Sequence, residues 1–270
     1  MKIDIKDWVN GCLKPKLKDK IDSHVMLRRP RLLIIQIGDL PQSNAYVKGK
    51  LADAKEVGIS ASLFKVSADK QTAFEMVQDF LKDNIKSYHG VILQEPSGFS
   101  DRQRQILLEL IGPNKDVDGF LPNSDFQPCT PKGIMRIIKN YWGESNGATA
   151  VVVGRGALVG FPLSSMLIKE GFTTIVCNSK TPDLKEKTLQ GDIVISAVGK
   201  RNLITKDMVK PGALVIDAGI DFDENGKICG DCDKAMYADD FNAGVTPVPG
   251  GVGLMTRYEL MENIAWRFLI

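Results

Sequence analysis

The sequence contains few of the residues that build metal centres and catalytic triads. Only two histidines, His24 and His89, occur in 270 residues, and no cluster of ligands has the spacing of a zinc site. His24 lies in an amphipathic helical stretch and His89 just before a strand, so we expect surface or helix-end roles for both. Zinc hydrolysis and a serine or cysteine triad are therefore not supported, and we expect no metal site.

The sequence also lacks a large net charge and a long hydrophobic run. Lys+Arg number 35 against Asp+Glu 33, a net charge of +2, which offers no field for nucleic acid or an anionic membrane. No window reaches the roughly 18 apolar residues of a membrane span, and the first ten residues carry charges where a signal peptide is apolar. We expect a cytoplasmic protein that binds neither nucleic acid nor membrane.

Cysteines are few, odd in number and scattered, which favours reduced thiols over a disulfide framework. Only Cys229 and Cys232 have CxxC spacing. Without a second pair or a nearby histidine, this spacing favours a surface turn over a metal or redox site.

Short apolar runs alternate with helical patterns along the whole chain, which predicts an α/β protein large enough for two domains. The predicted strands are Arg31–Gly38, Ser60–Val66, Gly90–Gln94, Ala148–Val153, Thr173–Cys177, Asp192–Ser196 and Ala213–Asp217. The predicted helices are Ala45–Val57, Thr72–Asp83, Asp101–Ile111, Leu158–Glu170 and Thr256–Phe268. We place the first domain at 1–122, completed by the returning C-terminal helix 254–270, and the second at 123–253, with the joint in Gly119–Pro131.

The segment Thr246–Gly253, TPVPGGVG, combines two prolines with three glycines. Proline restricts φ, and glycine lets the main chain approach a ligand closely, so the segment predicts a binding loop before the last helix. A rigid connector between domains is the alternative.

A glycine-rich turn, GRGALVG at Gly154–Gly160, follows a predicted strand and precedes a predicted helix. This order places a pyrophosphate at a helix N-terminus. The third glycine falls one residue later than in G-x-G-x-x-G, so a plain tight turn is an alternative.

The next strand ends in CNSKT, Cys177–Thr181, with no acidic residue to hold a ribose 2′-hydroxyl. Ser179 and Lys180, with Arg155 from the glycine turn, instead suit a 2′-phosphate through charge-assisted hydrogen bonds. The sequence therefore predicts NADP rather than NAD. The alternative is that both cations are solvated surface charges.

Four residues of the first domain form a candidate reactive group. Tyr46 and Lys50 lie four apart on a predicted helix and so share one face. Gln94 lies at the carboxyl end of a buried strand and Asp118 in the KDVDGF turn, both places where α/β sheets present ligand-contacting side chains. A cleft between domains could collect all four, although each has an ordinary structural explanation as well.

Together these segments form a recognisable pattern. The segments SNAYVKGKLADAKEVGI, GVILQEP, KDVDGF, PCTPKGI, VVVGRGALVGFP, DIVISAVGK, VIDAGI and TPVPGGVGLMT resemble, in order, those of the bifunctional methylenetetrahydrofolate dehydrogenase/methenyltetrahydrofolate cyclohydrolase (FolD) family. The resemblance spans nearly the whole chain. It implies an N-terminal catalytic domain and a Rossmann-like NADP-binding domain.

By this resemblance, Lys50 is the central proton-transfer residue and Gln94 its hydrogen-bonding partner. Tyr46 stacks on the p-aminobenzoyl part of folate, and Asp118 holds the amino edge of the pterin. The implied substrate-binding residues include Pro249, Gly250 and Gly251. The implied cofactor-binding residues are Gly154, Arg155, Gly156, Gly160, Ser179, Lys180 and Ile220.

The implied reactions belong to one-carbon metabolism. NADP oxidises 5,10-methylenetetrahydrofolate to 5,10-methenyltetrahydrofolate, and water converts that cation to 10-formyltetrahydrofolate, a step that needs proton transfer. The resemblance also implies a homodimer with contacts made largely through the cofactor domain.

Several residues depart from the family pattern. Glu95 follows Gln94 where leucine is usual, Gly156 replaces a serine, Asn178 a histidine and Leu254 a proline. A carboxylate at position 95 could alter the surroundings of Lys50. A dehydrogenase without efficient hydrolysis is therefore one alternative, and a dinucleotide-binding regulatory protein without turnover is another.

Overall fold

The computed structural model describes residues 3–24, 28–67, 69–224, 226–238 and 241–269. The chain divides into two compact units. The three-stranded unit comprises Asn10–Cys129 and Arg257–Ile270, and the five-stranded unit comprises Met1–Val9 and Thr130–Thr256. The boundaries that we drew from sequence at 122/123 and 253/254 stay predictions.

The elements alternate between helix and strand. The helices are α1 Ile5–Trp8, α2 Lys14–His24, α3 Pro41–Glu56, α4 Lys70–Asn84, α5 Asp101–Ile111, α6 Cys129–Tyr141, α7 Gly160–Lys169, α8 Leu184–Thr188 and α9 Val252–Leu269. The strands are β1 Arg31–Ile37, β2 Ser60–Val66, β3 Gly90–Leu93, β4 Thr149–Val153, β5 Thr173–Cys177, β6 Ile193–Ser196, β7 Leu214–Asp217, β8 Asp221–Phe222, β9 Ile228–Cys229 and β10 Gly244–Val245. Of the helices in the described ranges, none is long and apolar enough to cross a membrane.

The first sheet is parallel, with strand order β2-β1-β3. The central strand β1 is buried from Leu32 to Ile37, because a parallel strand covered on both faces needs a continuous apolar run. Its neighbours lie on opposite sides, so the crossover direction reverses at the carboxyl end of β1. Ligands of open α/β sheets bind at such a switch point.

The second sheet is also parallel, with order β10-β7-β6-β4-β5. Counted from β4, this is the doubly wound order 2-1-3-4-5, whose switch point lies at the carboxyl ends of β4 and β6. The glycine turn follows β4 directly. The predicted α/β class, with two α/β domains of which the second is Rossmann-like, is therefore confirmed.

Local capping explains where several helices begin. The Asp69 side chain accepts hydrogen bonds from the first turn of α4, and Ser100 forms a capping box with Gln103 at the start of α5. Helix α3 begins at Pro41, four residues before the predicted start, because proline suits the first helical turn.

The start predicted for the last helix was wrong. Helix α9 begins at Val252, inside the Pro-Gly segment, rather than near Thr256. Its C-terminal part belongs to the three-stranded unit, where Asn263 Nδ2 donates to the Val117 carbonyl at 2.9 Å and Arg267 Nε to the Asn114 carbonyl at 2.8 Å. The helix thus returns to the unit that holds the first sheet, as predicted.

Candidate active site and dinucleotide site

Lys50 and Gln94 form a buried hydrogen-bonded pair at the edge of the first sheet. Lys50 Nζ donates to Gln94 Oε1 at 2.9 Å, and the two residues are only 8% and 7% exposed. Helix α3 carries Lys50, and Gln94 follows the last residue of β3. The switch-point geometry of β1 and β3 therefore places the two side chains together, as the resemblance implies.

The amide of Gln94 is held from its other side. Gln94 Nε2 donates to the Glu95 carbonyl at 2.7 Å, and the Gln94 backbone N–H donates to the Ile35 carbonyl at 2.8 Å. An amide has one acceptor oxygen and one donor nitrogen. With the nitrogen engaged by a carbonyl, the oxygen faces Lys50.

The Glu95 carboxylate forms its described bonds with residues other than Lys50. It accepts from the Ser97 backbone N–H at 2.7 Å and from the Ser97 hydroxyl. Arg104 Nε lies 3.5 Å from Glu95 Oε1, and the Arg104 guanidinium lies over the ring of Phe120. These contacts hold the Glu95 side chain in the turn that follows Gln94.

Tyr46 lies one turn before Lys50 on α3 and is half-buried. Burial raises the pKa of the Tyr46 hydroxyl, and the positive charge of Arg257 partly opposes that shift. The ring is therefore an uncharged surface at neutral pH, suited to stacking against an aromatic ligand.

Asp118 lies in a turn that is organised by a second aspartate, Asp116. The Asp118 carboxylate is half-buried and makes no hydrogen bond to another described residue, whereas its carbonyl accepts from the Cys129 N–H at 3.2 Å. Asp116 is 1% exposed and accepts backbone hydrogen bonds from Gly119 at 3.2 Å and Leu121 at 2.7 Å.

Burial raises the pKa of the Asp116 carboxyl to about 6, helped by the charge of Asp118 and opposed by the Leu121 and Gly119 hydrogen bonds. Asp118 was predicted from the sequence as a site residue and Asp116 was missed, although both belong to KDVDGF. An aspartate followed three residues later by glycine is a turn signal that could have identified it.

The glycine turn is tightly packed at two of its glycines. A Cβ at Gly154, where φ is +108°, would lie 2.5 Å from the Ala197 carbonyl oxygen, and one at Gly160 would lie 2.0 Å from the Gly154 oxygen. Gly156 has no atom within 4 Å of such a Cβ. The first and last glycines thus permit the close strand-to-helix turn, and the middle of the turn faces open space that suits a phosphate.

The three polar residues expected at a 2′-phosphate are exposed at adjacent strand ends. Arg155 follows β4, and Ser179 and Lys180 follow β5. The Gly154 N–H donates to the Cys177 carbonyl at 2.9 Å, which joins the two turns directly. Asn178, at the position where histidine is usual, accepts from the Lys180 N–H at 2.8 Å and so shapes the second turn.

A buried pair of aspartates, also missed from sequence, organises the neighbouring loops. Asp231 is 0% exposed and accepts from the Ser196 hydroxyl at 2.6 Å, the Val198 N–H at 2.9 Å and the Lys200 N–H at 2.7 Å.

Its partner, Asp217, is 1% exposed and accepts from the backbone N–H groups of Gly219, Asp231 and Cys232. Ile220, the predicted cofactor contact, follows Gly219 and is 46% exposed. The aspartate pair thus holds the segment that presents Ile220.

The Pro-Gly segment is anchored at its start and tightly closed at its end. Thr246 is fully buried, and its hydroxyl accepts from the Asp217 N–H at 2.9 Å. Gly250 has φ of +100°, and a Cβ at Gly251 would lie 2.3 Å from the Pro247 carbonyl oxygen. Glycine is therefore required at both positions. The residue before them, Pro249, follows a cis Val248–Pro249 peptide bond.

The predicted residues are distributed between both units. Tyr46, Lys50, Gln94 and Asp118 belong to the three-stranded unit, and the predicted cofactor residues with Pro249–Gly251 belong to the five-stranded unit. The structure brings Lys50 and Gln94 into contact and places Tyr46 beside them on α3. A shared cleft stays a prediction.

Comparisons with known proteins match both units. The tetrahydrofolate dehydrogenase/cyclohydrolase catalytic domain matches residues 6–118, and the NAD(P)-binding domain of the same family matches residues 128–269. The bifunctional protein FolD of Cupriavidus necator is 42% identical over 245 residues, which cover 87% of this chain and 86% of that protein.

Solved structures agree over nearly the full length. The bifunctional FolD of Campylobacter jejuni superposes with a TM-score of 0.87 at 36% identity, covering 99% of this chain and 98% of that one. The Trypanosoma brucei enzyme, solved with NADP and an inhibitor, has a TM-score of 0.89 at 29% identity, covering 99% and 97%. The chain therefore belongs to the tetrahydrofolate dehydrogenase/cyclohydrolase family.

Proposed function

We propose that this enzyme oxidises 5,10-methylenetetrahydrofolate with NADP and hydrolyses the resulting 5,10-methenyltetrahydrofolate to 10-formyltetrahydrofolate, as part of one-carbon metabolism. The observation that carries the proposal is the buried Lys50–Gln94 hydrogen bond of 2.9 Å. A binding protein has no need of a buried lysine held on an oriented acceptor, whereas hydrolysis needs a positioned proton carrier.

Substrate binding uses the other residues that the family resemblance implies. Tyr46 stacks on the p-aminobenzoyl group, and the Asp118 carboxylate accepts from the N–H groups of the pterin edge in a charge-assisted pair. Pro249, Gly250 and Gly251 contribute a backbone surface for the substrate. Fixing the pterin at one end and the aromatic group at the other orients the one-carbon bridge, and orientation is the main requirement of hydride transfer.

The residues of the five-stranded unit fit the dinucleotide. Gly154, Gly156 and Gly160 shape the turn that receives the pyrophosphate, and Ile220 offers an exposed apolar contact. Arg155, Ser179 and Lys180 hold the 2′-phosphate. When bound, NADP supplies the hydride acceptor.

Hydrolysis requires a group that accepts a proton from the attacking water. Water adds to the methenyl carbon while Lys50 Nζ takes one of its protons. The adduct then collapses: the carbon–N5 bond breaks, Lys50 Nζ returns its proton to N5, the hydroxyl of the adduct loses its proton to solvent as the C=O bond forms, and the formyl group stays on N10. Gln94 accepts a hydrogen bond from Nζ and so holds the amine in position. The same lysine can then act in the next turnover.

A homodimer fits an exposed apolar face of the five-stranded unit. Phe161 and Ile168 lie seven residues apart on α7 and are 68% and 62% exposed, and Val176, on the edge strand β5, is 42% exposed. Large exposed side chains beside an unpaired strand edge suit a self-association surface. Light scattering across a concentration series should give twice the 29.7 kDa monomer mass, and Phe161→Glu with Ile168→Glu should reduce it to the monomer.

The cytoplasm is the location that we propose, since all five cysteines are free thiols.

The test of the main proposal is a paired spectroscopic assay of the purified protein with 5,10-methylenetetrahydrofolate. It follows reduced cofactor and methenyl product separately, first with NADP and then with NAD. Rapid NADP reduction with little methenyl accumulation supports both activities. Accumulation of methenyl product would show that the protein is a dehydrogenase without efficient cyclohydrolase activity. Failure to reduce either cofactor would overturn the proposal.

A further inference from the structure

A cluster of charges lies along helix α3, beside the proposed folate site. Lys14 Nζ lies 2.7 Å from Asp53 Oδ1 and 2.8 Å from Glu56 Oε2. Arg257 Nε lies 2.7 Å from the second Asp53 oxygen. Lys14 and Asp53 are each only 4% exposed, so Asp53 anchors the Arg257 side chain as a buried ion-pair partner, although Nε and Oδ2 do not meet in hydrogen-bond geometry.

Gly49 determines where the Arg257 side chain lies. A Cβ at position 49 would lie 2.1 Å from Arg257 Nη1, so the guanidinium rests against the bare backbone of α3. Residues 46, 49, 50 and 53 share one helical face, because side chains three and four apart are neighbours. From its anchor at Asp53, the guanidinium thus extends towards Tyr46.

The outer edge of the guanidinium is open. The Arg257 side chain is 25% exposed, and no other hydrogen bond or ion pair joins it to residues within the described ranges. The positive charge of Arg257 lowers the pKa of the Tyr46 hydroxyl, although burial raises that pKa by more. Two Nη groups with unused N–H donors therefore lie next to the proposed stacking surface.

We propose that Arg257 binds a carboxylate of the glutamate that tetrahydrofolate substrates carry on their p-aminobenzoyl group. The inference rests on the proposed function and adds a specificity-determining residue to it. The aromatic group that stacks on Tyr46 is joined directly to this glutamate, so its carboxylates lie just beyond the ring. A planar guanidinium matches a carboxylate through two parallel hydrogen bonds.

The experiment compares two ligands in a series of variants. The ligands are 5,10-methylenetetrahydrofolate and the primary amide of the corresponding tetrahydropteroate, called the pteroate below, which has neither the glutamate nor a free carboxylate. In Arg257→Met, we expect the KM for the folate to rise about 10- to 100-fold, the effect of losing a charge-assisted pair, with kcat within about threefold. The KM for the pteroate should not change.

Two further variants separate binding from folding. Gly49→Ala keeps every charge and improves helix propensity, but its methyl group displaces the guanidinium, so it should raise the KM for the folate alone. The matched control is Lys48→Met, which removes a positive charge from the exposed face of α3 and should leave both KM values unchanged.

The outcomes are distinct from those of the main assay. A KM increase for the folate alone, in both Arg257→Met and Gly49→Ala, supports the proposal. Equal increases in the KM values for folate and pteroate, or an unchanged KM for the folate in Gly49→Ala, would overturn the proposal for Arg257. Neither result would affect the dehydrogenase activity of the unmodified protein. No turnover by the unmodified protein would instead overturn the proposed function on which the inference rests.

Discussion

Lys50 donates to the side-chain oxygen of Gln94 at 2.9 Å, and the nitrogen of the same amide is held at 2.7 Å by the Glu95 carbonyl. The acceptor is therefore oriented by the backbone and does not depend on Lys50. A lysine that moves a proton benefits from such a partner, because the partner stays in place in both protonation states of the amine.

Replacing Lys50 with Met should abolish the cyclohydrolase and spare much of the dehydrogenase. Methionine keeps the length of the side chain but cannot carry a proton, and a positioned acid–base group contributes about 10²- to 10⁴-fold. Methenyltetrahydrofolate should therefore accumulate when the reaction is followed spectroscopically with NADP. Lys48→Met, on the exposed face of the same helix, is the control, and substantial hydrolysis by Lys50→Met would show that another group carries the proton.

Glu95→Gln should leave hydrolysis nearly unchanged, within about threefold, because the described bonds of the Glu95 carboxylate are made to Ser97 and Arg104. Glutamine is still able to accept from the Ser97 N–H, so the turn after Gln94 should persist. The measurement is the pH profile of methenyl hydrolysis. A displaced profile in Glu95→Gln would show that the carboxylate acts on Lys50 electrostatically.

Arg155→Ala and Lys180→Ala should each raise the KM for NADP by about 10- to 100-fold, the effect of one charge-assisted hydrogen bond to phosphate. The KM for NAD should change little, because NAD lacks the 2′-phosphate. Steady-state kinetics with both cofactors gives the ratio directly. Equal losses for NADP and NAD would place these residues at the pyrophosphate instead.

Asp116 should make the stability of the protein depend on pH. Its carboxyl pKa is raised from 3.8 to about 6, so the folded state holds this proton more tightly than the unfolded state. The stabilising contribution of Asp116 is therefore complete below pH 4 and is lost as the pH rises through about 6. A shift of this size corresponds to about 3 kcal/mol.

The test compares denaturant unfolding of the unmodified protein with that of Asp116→Asn between pH 4 and 7. Asparagine does not titrate in this range, so the free energy of unfolding of the unmodified protein should fall relative to the variant as pH rises. A difference that stays constant with pH would contradict the raised pKa.

Much of the fold could be predicted because its signals are local. All seven predicted strands are present within about one residue of their predicted ends. Five of them, β1, β3, β4, β6 and β7, are buried and largely apolar, as a parallel strand covered on both faces requires. The enzyme class and the dinucleotide cofactor expected from the ordered motifs are confirmed by the family match over 6–118 and 128–269. Motifs carry this information because their glycines and prolines impose backbone shapes by themselves.

Helix ends were less predictable. Helix α6 begins at Cys129, within the stretch that we took as turn-rich, and α9 begins four residues before its predicted start. In both places glycine or proline suggested a loop. Tertiary packing, which supplies most helical stability, overrides that local preference.

The sequence by itself determined the α/β alternation, the two glycine-rich segments and the identities of Lys50 and Gln94 as candidates. Only the tertiary structure decided that Gln94 presents its oxygen to Lys50, that Asp116 and Asp231 are buried organisers of loops, and that Arg257 lies against Gly49. Such contacts join residues far apart in the chain. Their formation depends on where sheets and helices pack, which no local pattern of residues specifies.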